Sequence, residues 1–428
     1  MSEINTNIIK NINKDQILKD AYDLSFPRRI GSEGNLKARE LLVSKITELE
    51  YKPHFQNFTY SYLFRSFIFN IIRIIYILGI MGLLILYFPF TQDRIIWILI
   101  PGTLIIVLLV IEFSYHQEIS QFAIMNWEKL KPKQKKLIRN GKNIFAIKSN
   151  ESRLIFSDEL NEFQLNLERK SEYKRHLIIL SAHYDSINVS FGPFLIIFTS
   201  ILNTIGILII GFFPIVLLIL SGIWYYIFTV IYLIFCSLTL LSSFIRLFRK
   251  LQNFSDGAID NASGVSTVLG VARALKEIDL PNVDIIFSFW DAEEEGLVGS
   301  LSFVEKHLQK LINLYGIENI HVISYDGCGS KGQISFGRSF GFPRVIKHDK
   351  GIVNKLKASA ESLEIPTKTS WFYYPPSDHA CFGIRNIDSV WFYSFAAVSN
   401  TVKDKKELLV GKTLVNSVKI TLQYLSNF

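Results

Sequence analysis

The stretch PNVDIIFSFWDAEEEGLVGS, residues 281–300, runs from an apolar strand directly into three glutamates and a glycine. Three adjacent carboxylates at the mouth of a hydrophobic strand repel one another and resist removal from water. They therefore either stay in water or have positive charge among them. In open α/β sheets, ligands collect at the carboxyl ends of the strands, which is where these acids lie.

Short apolar strands and amphipathic helices alternate through the polar parts of the chain. The strands are NIFAIKS, HLIILSAH, VDIIFSFW, HVISYD and SVWFYS, and the helices include SEGNLKARELLVSKITELE, SGVSTVLGVARALKEI, SLSFVEKHLQKLINL and KKELLVGKTLVNSVKITLQYL. This alternation predicts an α/β domain with a mostly parallel central sheet flanked by helices.

The composition indicates membrane segments. Of the 428 residues, 49% are hydrophobic and 14% aromatic, which exceeds the usual content of a soluble globular protein. The net charge of +8 comes from scattered basic residues that cluster beside apolar runs, so membrane flanks explain it better than nucleic acid. The three cysteines show no paired spacing, which favours reduced thiols facing the cytosol.

Two regions are apolar for much longer than ordinary core segments. The first runs from about residue 66 to 115 with the polar interruption PFTQDR, and the second from about 194 to 245. A bilayer-spanning helix needs about 20 apolar residues, so each region predicts a transmembrane hairpin, four spans in all. A buried helical pair in a soluble protein is the alternative. The predicted division is one polar domain formed by residues 1–62, 116–191 and 249–428, with hairpins at 63–115 and 192–248.

An even number of spans in each hairpin puts all three polar segments on one side of the membrane. That side carries KLKPKQKK at 129–136 together with Arg65, Arg73, Arg246, Arg249 and Lys250, whereas the opposite turns hold only Asp93 and Arg94. The positive-inside rule therefore predicts a multi-pass membrane protein whose polar domain faces the cytoplasm. The second hairpin begins soon after HLIILSAHYDS, so we expect the charged site to lie close to the membrane surface.

Potential metal ligands follow several of the predicted strands. They are His183 and Asp185, Asp260, the glutamates 293–295, Asp326, and Asp378 with His379. Each one alone is explained as a strand end, a turn or a helix N-cap. Together, two histidines and several carboxylates without a cysteine cluster predict a paired divalent metal site, with zinc as the favoured ion. Two Zn²⁺ ions would balance three carboxylates and a bridging hydroxide, leaving one glutamate as a base.

Five motifs in order, SAHYDS, DGAIDNASGV, AEEEGLVGS, SYDGCG and SDHACF, resemble the two-zinc exopeptidases that include bacterial leucyl aminopeptidases, glutamate carboxypeptidase and the glutaminyl cyclases. The segment RRIGSEGNLKARELL is similar to the first helix of that family. The resemblance covers the polar segments and neither hairpin, and it implies the zinc exopeptidase fold.

The resemblance also implies a role for each matched residue. Asp260 would bridge the two zinc ions, His183 and Asp326 would complete one site, and Glu294 and His379 would complete the other. Glu293 would be the general base, and Asp185 the acid behind His183. Glu295 would have no catalytic role and is expected to be solvated.

The chain departs from the family at two places. Many members carry a His-Thr pair followed by an acid near their end, whereas this chain reads SNTVKD with Asn400 at the histidine position. A tyrosine that polarises the reaction intermediate in relatives could correspond to Tyr373 or Tyr374, and the sequence leaves both open.

The predicted function is a membrane-embedded zinc aminopeptidase that cleaves the N-terminal peptide bond with a metal-bridging hydroxide and Glu293 as base. Its expected partners are a peptide substrate and the lipid bilayer, without nucleic acid. The alternatives are a glutaminyl cyclase-like acyltransferase with one zinc and a metal-free binding or scaffold protein. The substrate residue, amino- or carboxypeptidase specificity and the oligomeric state stay open.

Overall fold

A computed structural model describes residues 6–87, 95–126, 138–150, 154–165, 175–190, 192–248, 250–341, 343–372 and 377–428. The strands are β1 (His54–Tyr60), β2 (Arg139–Lys148), β3 (Leu154–Ser157), β4 (Glu162–Leu165), β5 (His176–His183), β6 (Asn188–Val189), β7 (Leu251–Gln252), β8 (Val283–Trp290), β9 (Ile320–Tyr325), β10 (Ile334–Phe340), β11 (Ile346–Lys347), β12 (Thr367–Phe372) and β13 (Asp388–Ser394). The α-helices are α1 (Thr6–Lys10), α2 (Lys14–Asp23), α3 (Glu33–Glu48), α4 (Tyr62–Tyr87), α5 (Ile95–Ser114), α6 (His116–Met125), α7 (Gly192–Ile219), α8 (Gly222–Leu247), α9 (Ser263–Leu275), α10 (Val298–Phe303), α11 (Gln309–Tyr315), α12 (Ile352–Glu361), α13 (His379–Gly383) and α14 (Gly411–Leu425).

The central sheet has a parallel centre and antiparallel flanks. Within the described residues it holds nine strands in the order β1-β2-β8-β5-β9-β13-β10-β11, with β12 beside β10. Strands β8, β5, β9 and β13 run parallel, whereas β1, β2, β10 and β11 join through antiparallel pairs. The α/β prediction, with a central sheet flanked by helices, is therefore confirmed, and the sheet is more mixed than predicted. Parallel pairing is continuous from β8 to β13 and returns between β10 and β12, whereas antiparallel pairs join β2 to β8 and β10 to β13.

Helices cover both faces of this sheet, which explains why its strands read as continuous apolar runs. Alternate residues of β5 point to opposite faces. Ile178 and Leu180 join the cluster that packs under α2, α3, α9, α12 and α14, and Leu177 and Ile179 join the one under α10, α11 and α13. The SEGNLKARELL helix is α3, and Ser32 caps it by accepting a hydrogen bond from the Asn35 amide at 3.2 Å.

The two long apolar regions form four helices that pack together. Helices α4 to α6 are inserted between the antiparallel strands β1 and β2, and α7 and α8 between the short paired strands β6 and β7. Their shared core includes Tyr76, Leu109, Ile210 and Tyr232. In the described residues, Arg65–Leu83, Phe198–Leu217 and Gly222–Leu247 are long and apolar enough to cross a membrane. The pair Gly102–Glu112 and His116–Met125, bent by 69°, is a fourth candidate.

Polar groups inside this helical bundle find partners on neighbouring helices. Asn203 of α7 accepts hydrogen bonds from Ser243 at 2.6 Å and Ser242 at 3.3 Å, both on α8. A Cβ on Gly206 would lie 1.9 Å from the Thr239 hydroxyl oxygen, so only glycine allows this approach of α7 to α8. Small residues and satisfied polar groups at helix contacts are typical of helices that pack in an apolar environment.

Candidate metal centre

Three predicted ligands converge at the carboxyl end of the parallel strands. The Nε2 atom of His183 lies 3.2 Å from Oδ1 of Asp260 and 3.4 Å from Oδ1 of Asp326. His183 ends β5, Asp326 follows the neighbouring strand β9, and Asp260 lies in the turn before α9. The ligand atoms of these three residues all lie within 4.8 Å of one another. The sheet edge thus assembles a candidate metal site from segments far apart in sequence.

Asp185 fixes both the imidazole and the acidic loop. Its Oδ1 lies 3.4 Å from Nδ1 of His183, and its backbone carbonyl lies 3.2 Å from the same nitrogen. The carboxylate also accepts hydrogen bonds from the backbone amides of Glu293 at 3.0 Å and Glu294 at 3.3 Å. A proton on Nδ1 of His183 leaves Nε2 free to coordinate a cation, so Asp185 orients the ligand and the loop together.

Glu293 reaches into the same site. Its Oε2 lies 3.8 Å from Nε2 of His183. Burial raises the pKa of the Glu293 carboxyl well above its usual range, although the nearby His183 opposes this shift. Burial and the negative charge of Asp260 likewise raise the pKa of Glu294 well above its usual range. Glu293 and Glu294 are therefore two of several buried carboxyl groups that lie close together, which is unfavourable for their charged forms.

A divalent cation fits this arrangement. Burial and then the charge of Asp326 raise the pKa of Asp260. Burial lowers the pKa of His183, but the charges of Glu293 and Asp326 outweigh it and hold that pKa well above its usual value. The buried Nε2 of His183 and Oε1 of Glu294 have no hydrogen-bond partner. One imidazole nitrogen with several carboxylate oxygens is a donor set that zinc accepts.

The structure does not bring His379 into this group. Its ring packs 4.4 Å from the ring of His348 and 6.0 Å from that of Phe340, on the inner side of α13. Burial, with a contribution from His348, lowers the pKa of His379 well below its usual value, which keeps the ring neutral. The ring lies in an aromatic cluster, and both of its buried nitrogens lack a hydrogen-bond partner, so the ligand role expected for His379 stays a prediction.

The expectation that Glu295 is solvated is wrong. Its side chain is 0% exposed and accepts hydrogen bonds from Arg29 at 2.8 Å, Arg139 at 2.7 Å and the Tyr60 hydroxyl at 2.8 Å. Glu293, Glu294 and Glu295 therefore have different surroundings, and Glu295 is the one whose described contacts are hydrogen bonds from two arginine side chains. The two arginines were not foreseeable as partners, because they are about 266 and 156 positions away along the chain.

Two further groups that sequence reasoning left unassigned shape the site. Asp404 accepts hydrogen bonds from the backbone amides of Ile259 at 2.8 Å and Asp260 at 3.0 Å, so it fixes the turn that carries Asp260. The buried guanidinium of Arg28 donates to backbone carbonyls, including those of Tyr184 and Gly257. Arg28 lies in RRIGSEG and Asp404 in SNTVKD, the two segments from which the sequence could have indicated these groups. Tyr373 and Tyr374 lie outside the described residues.

Comparison with known proteins is consistent with this geometry. Residues 244–424 match the family model described as Peptidase family M28. This range holds Asp260, Glu293, Glu294 and Asp326, whereas His183 and Asp185 precede it. A vacuolar membrane protease from Yarrowia lipolytica is 25% identical over 179 residues, which cover 39% of this chain and 16% of that protein. This chain therefore matches only a small part of that relative.

Solved zinc peptidases share the fold. An aminopeptidase from Aneurinibacillus sp. strain AM-1 has a TM-score of 0.55 at 14% identity, covering 98% of this chain and 95% of the other. A zinc aminopeptidase from Bacillus subtilis has a TM-score of 0.52 at 13% identity, covering 97% and 95%. The glutaminyl cyclase of Fimbriiglobus ruber also reaches 0.52, at 12% identity with the same coverage. Together with the M28 match over residues 244–424, these similarities confirm the predicted resemblance and the fold that it implies.

Proposed function

We propose that this chain is a membrane-embedded, zinc-dependent aminopeptidase that hydrolyses the N-terminal peptide bond of peptides. The observation that carries the proposal is the convergence of His183, Asp260 and Asp326, with Glu293 Oε2 only 3.8 Å from His183 Nε2. A structural ion pair would not need a buried base beside carboxylates whose ion pairs, among the described residues, are all with His183 rather than with a lysine or arginine.

Each residue of the site has a distinct proposed role. His183, Asp260 and Asp326 would hold zinc, which supplies a Lewis acid for the carbonyl of the scissile bond. Glu293 would take the proton of the attacking water and deliver it to the leaving amine. Asp185 would hold the His183 imidazole and the loop of Glu293 in place, because its carboxylate contacts both.

The sequence predicts two zinc ions, with Glu294 as a ligand of the second. Glu294 supports a second position, because it is buried near Asp260 and one of its oxygens lacks a hydrogen-bond partner. Which ion that position accepts depends on its remaining donors.

The apolar helices would anchor the catalytic domain in a bilayer. Large side chains on their outer surface are exposed, among them Leu78, Ile219 and Tyr226 at 62%, 81% and 64%. Such a surface is costly in water and suited to lipid. We propose the topology given by the basic flanks, with the catalytic domain facing the cytoplasm.

Both helical insertions adjoin the loops of the site. Helix α6 contacts the loop after Glu295, since a Cβ on Gly296 would lie 3.2 Å from Ile124 of that helix. The β6–β7 ladder, which closes the second insertion, connects to the site through a hydrogen bond from the Val189 amide to the Asn400 carbonyl at 3.2 Å. These contacts support a substrate entry close to the membrane surface, which favours small peptides or protein ends near the bilayer.

Replacement of residues 192–248 by a short linker tests the role of the membrane. We expect hydrolysis of membrane-borne peptides to fall relative to that of soluble peptides in the same preparation. Equal retention of both activities would contradict the proposed entry at the membrane surface.

A substrate screen tests the activity itself. Zinc-loaded protein in detergent should release amino acids from free aminoacyl peptides but not from the same peptides with a blocked N-terminus, and a chelator should abolish the release. Cleavage of N-blocked peptides would indicate a carboxypeptidase. Cyclisation of N-terminal glutamine without hydrolysis would indicate the cyclase alternative, whose fold is equally similar.

A further inference from the structure

The two carboxylate oxygens of Asp260 face different neighbours. Oδ1 lies 3.2 Å from the imidazole Nε2 of His183, whereas Oδ2 lies 3.2 Å from the amide Nδ2 of Asn400. A carboxylate that bridges two cations needs donors on both sides. The two sides of Asp260 are chemically unlike.

No second imidazole is available on the Asn400 side. The chain contains eight histidines, and the structure describes all of them. Among them, His183 is the only one within ion-pair distance of Asp260. The other seven contact other groups. His54 and His321 contact the carboxylates of Asp158 and Asp388. The rings of the remaining five pack against other rings: His116 against Phe69, His176 against Phe428, His307 against Phe163, and His348 against His379.

The backbone holds Asn400 in place. Its φ of 60° lies in the left-handed region, which asparagine adopts more readily than most residues. Its carbonyl accepts the hydrogen bond from Val189, and Asp404, four residues later, fixes the Asp260 turn. The Asn400 side chain therefore stays beside Asp260 Oδ2, and its Oδ1 is buried without a hydrogen-bond partner.

Among the described residues, the groups identified on this side offer oxygen donors. Rotation of the Asn400 amide exchanges its nitrogen for Oδ1 and places that oxygen beside Asp260 Oδ2. Glu294, whose Oε1 has no hydrogen-bond partner, lies near enough to Asp260 for their charges to interact. The buried Arg28 guanidinium lies close enough for its charge to act on both Asp260 and Glu294. A fixed positive charge there weakens the attraction for another cation.

We infer that the site has two unlike metal positions. The position at His183, Asp260 and Asp326 holds zinc tightly, whereas the position at Asp260, Glu294 and Asn400 binds a hard divalent cation such as Mn²⁺ weakly and exchangeably. Carboxylate and carbonyl oxygens suit Mn²⁺ and Mg²⁺, and an imidazole ligand favours zinc. The inference deepens the proposed function, since it rests on the zinc position assigned there.

Metal analysis of the full-length protein in detergent tests this inference. Metal-stripped protein is loaded with excess Zn²⁺, passed through a desalting column and analysed for zinc per chain. We expect one retained zinc in the wild type and two in Asn400→His, because histidine tolerates the left-handed backbone and supplies the missing nitrogen. Asn400→Ala, the matched control, should retain one.

Electron paramagnetic resonance of added Mn²⁺ gives a second readout that requires no variant of Asn400. Wild-type protein with one zinc should bind one Mn²⁺ reversibly, and Glu294→Gln should weaken that binding by at least about tenfold. Two zinc ions retained by the wild type, or Mn²⁺ binding insensitive to Glu294→Gln, would contradict the inference and leave the proposed function standing. No retained zinc in the wild type would contradict both.

Discussion

At the scale of single residues, three adjacent glutamates have three different environments. Glu293 and Glu294 face a site rich in carboxylates, whereas Glu295 turns away into a cluster of Arg29, Arg139 and Tyr60. The sequence predicted the separation of Glu293 and Glu294 from Glu295 but not the partners of Glu295. Those partners come from distant segments, which only the folded chain brings together.

Glu295→Gln should destabilise the protein without removing its metal. The substitution leaves Arg29 and Arg139 without the carboxylate that both contact, and breaking a buried ion pair costs about 3 kcal/mol. Thermal unfolding in detergent should show a lowered midpoint at unchanged zinc content. Glu277→Gln, at an exposed position, is the control and should leave the midpoint unchanged. A fall in zinc content for Glu295→Gln alone would place this residue in the metal site.

His307 should make stability depend on pH. Burial among aromatic rings, with a contribution from Lys306, lowers the pKa of His307 to about 4. The folded state therefore keeps the ring neutral, while the unfolded chain binds a proton below pH about 6.5. The stability contributed by His307 is present above that pH and is lost as the pH falls toward 4. At pH 5 this loss amounts to about 2 kcal/mol.

The comparison of unfolding midpoints at pH 7 and pH 5 measures this effect. The wild type should lose more stability on acidification than His307→Leu, whose side chain does not titrate. Equal losses would mean that His307 does not contribute to the acid sensitivity.

At the scale of elements, the strands were the most predictable part of the chain. The five predicted strands correspond to β2, β5, β8, β9 and β13, because fully buried strands are short apolar runs with sharp polar ends. The strands β10 to β12 were not predicted, and β10 pairs antiparallel with both β11 and β13. The sequence of β10, ISFGRSF, mixes polar and apolar residues, so it lacks the continuous run that marks a buried strand.

The contact between α7 and α8 offers a test at this scale. Asn203→Leu removes the acceptor of Ser242 and Ser243 and should destabilise the helix pair by about 1 kcal/mol. Ser237→Leu, at an exposed position of α8, is the control and should have little effect. Thermal unfolding in detergent measures both. Equal midpoints for the two variants would show that the buried hydrogen bonds add no stability.

At the scale of the whole molecule, the sequence could predict which ligands meet only for those that directly follow strands. His183 and Asp326 lie at the ends of neighbouring parallel strands, so their convergence with Asp260 follows from the α/β topology. His379 was assigned from its motif, and no local pattern indicated that its ring would pack on His348. The position of Asn400 was visible in SNTVKD, but its contact with Asp260 required the fold.

The orientation in the membrane can be tested by labelling introduced cysteines. The native cysteines 236, 328 and 381 are buried and should stay unreactive in the folded protein. In intact cells, a membrane-impermeant maleimide should label Asp93→Cys, in a turn predicted to face outward. Lys412→Cys, on the catalytic domain, should react only after permeabilisation. The reverse pattern would contradict the cytoplasmic orientation.

Turnover and metal analysis of Glu293→Gln together test the proposal that a metal-dependent hydrolase uses Glu293 as its base. A general base contributes about 10²- to 10⁴-fold to the rate. We therefore expect peptide hydrolysis to fall by at least about 100-fold while zinc retention equals that of the wild type. Near-normal turnover by Glu293→Gln with its zinc retained would contradict the claim.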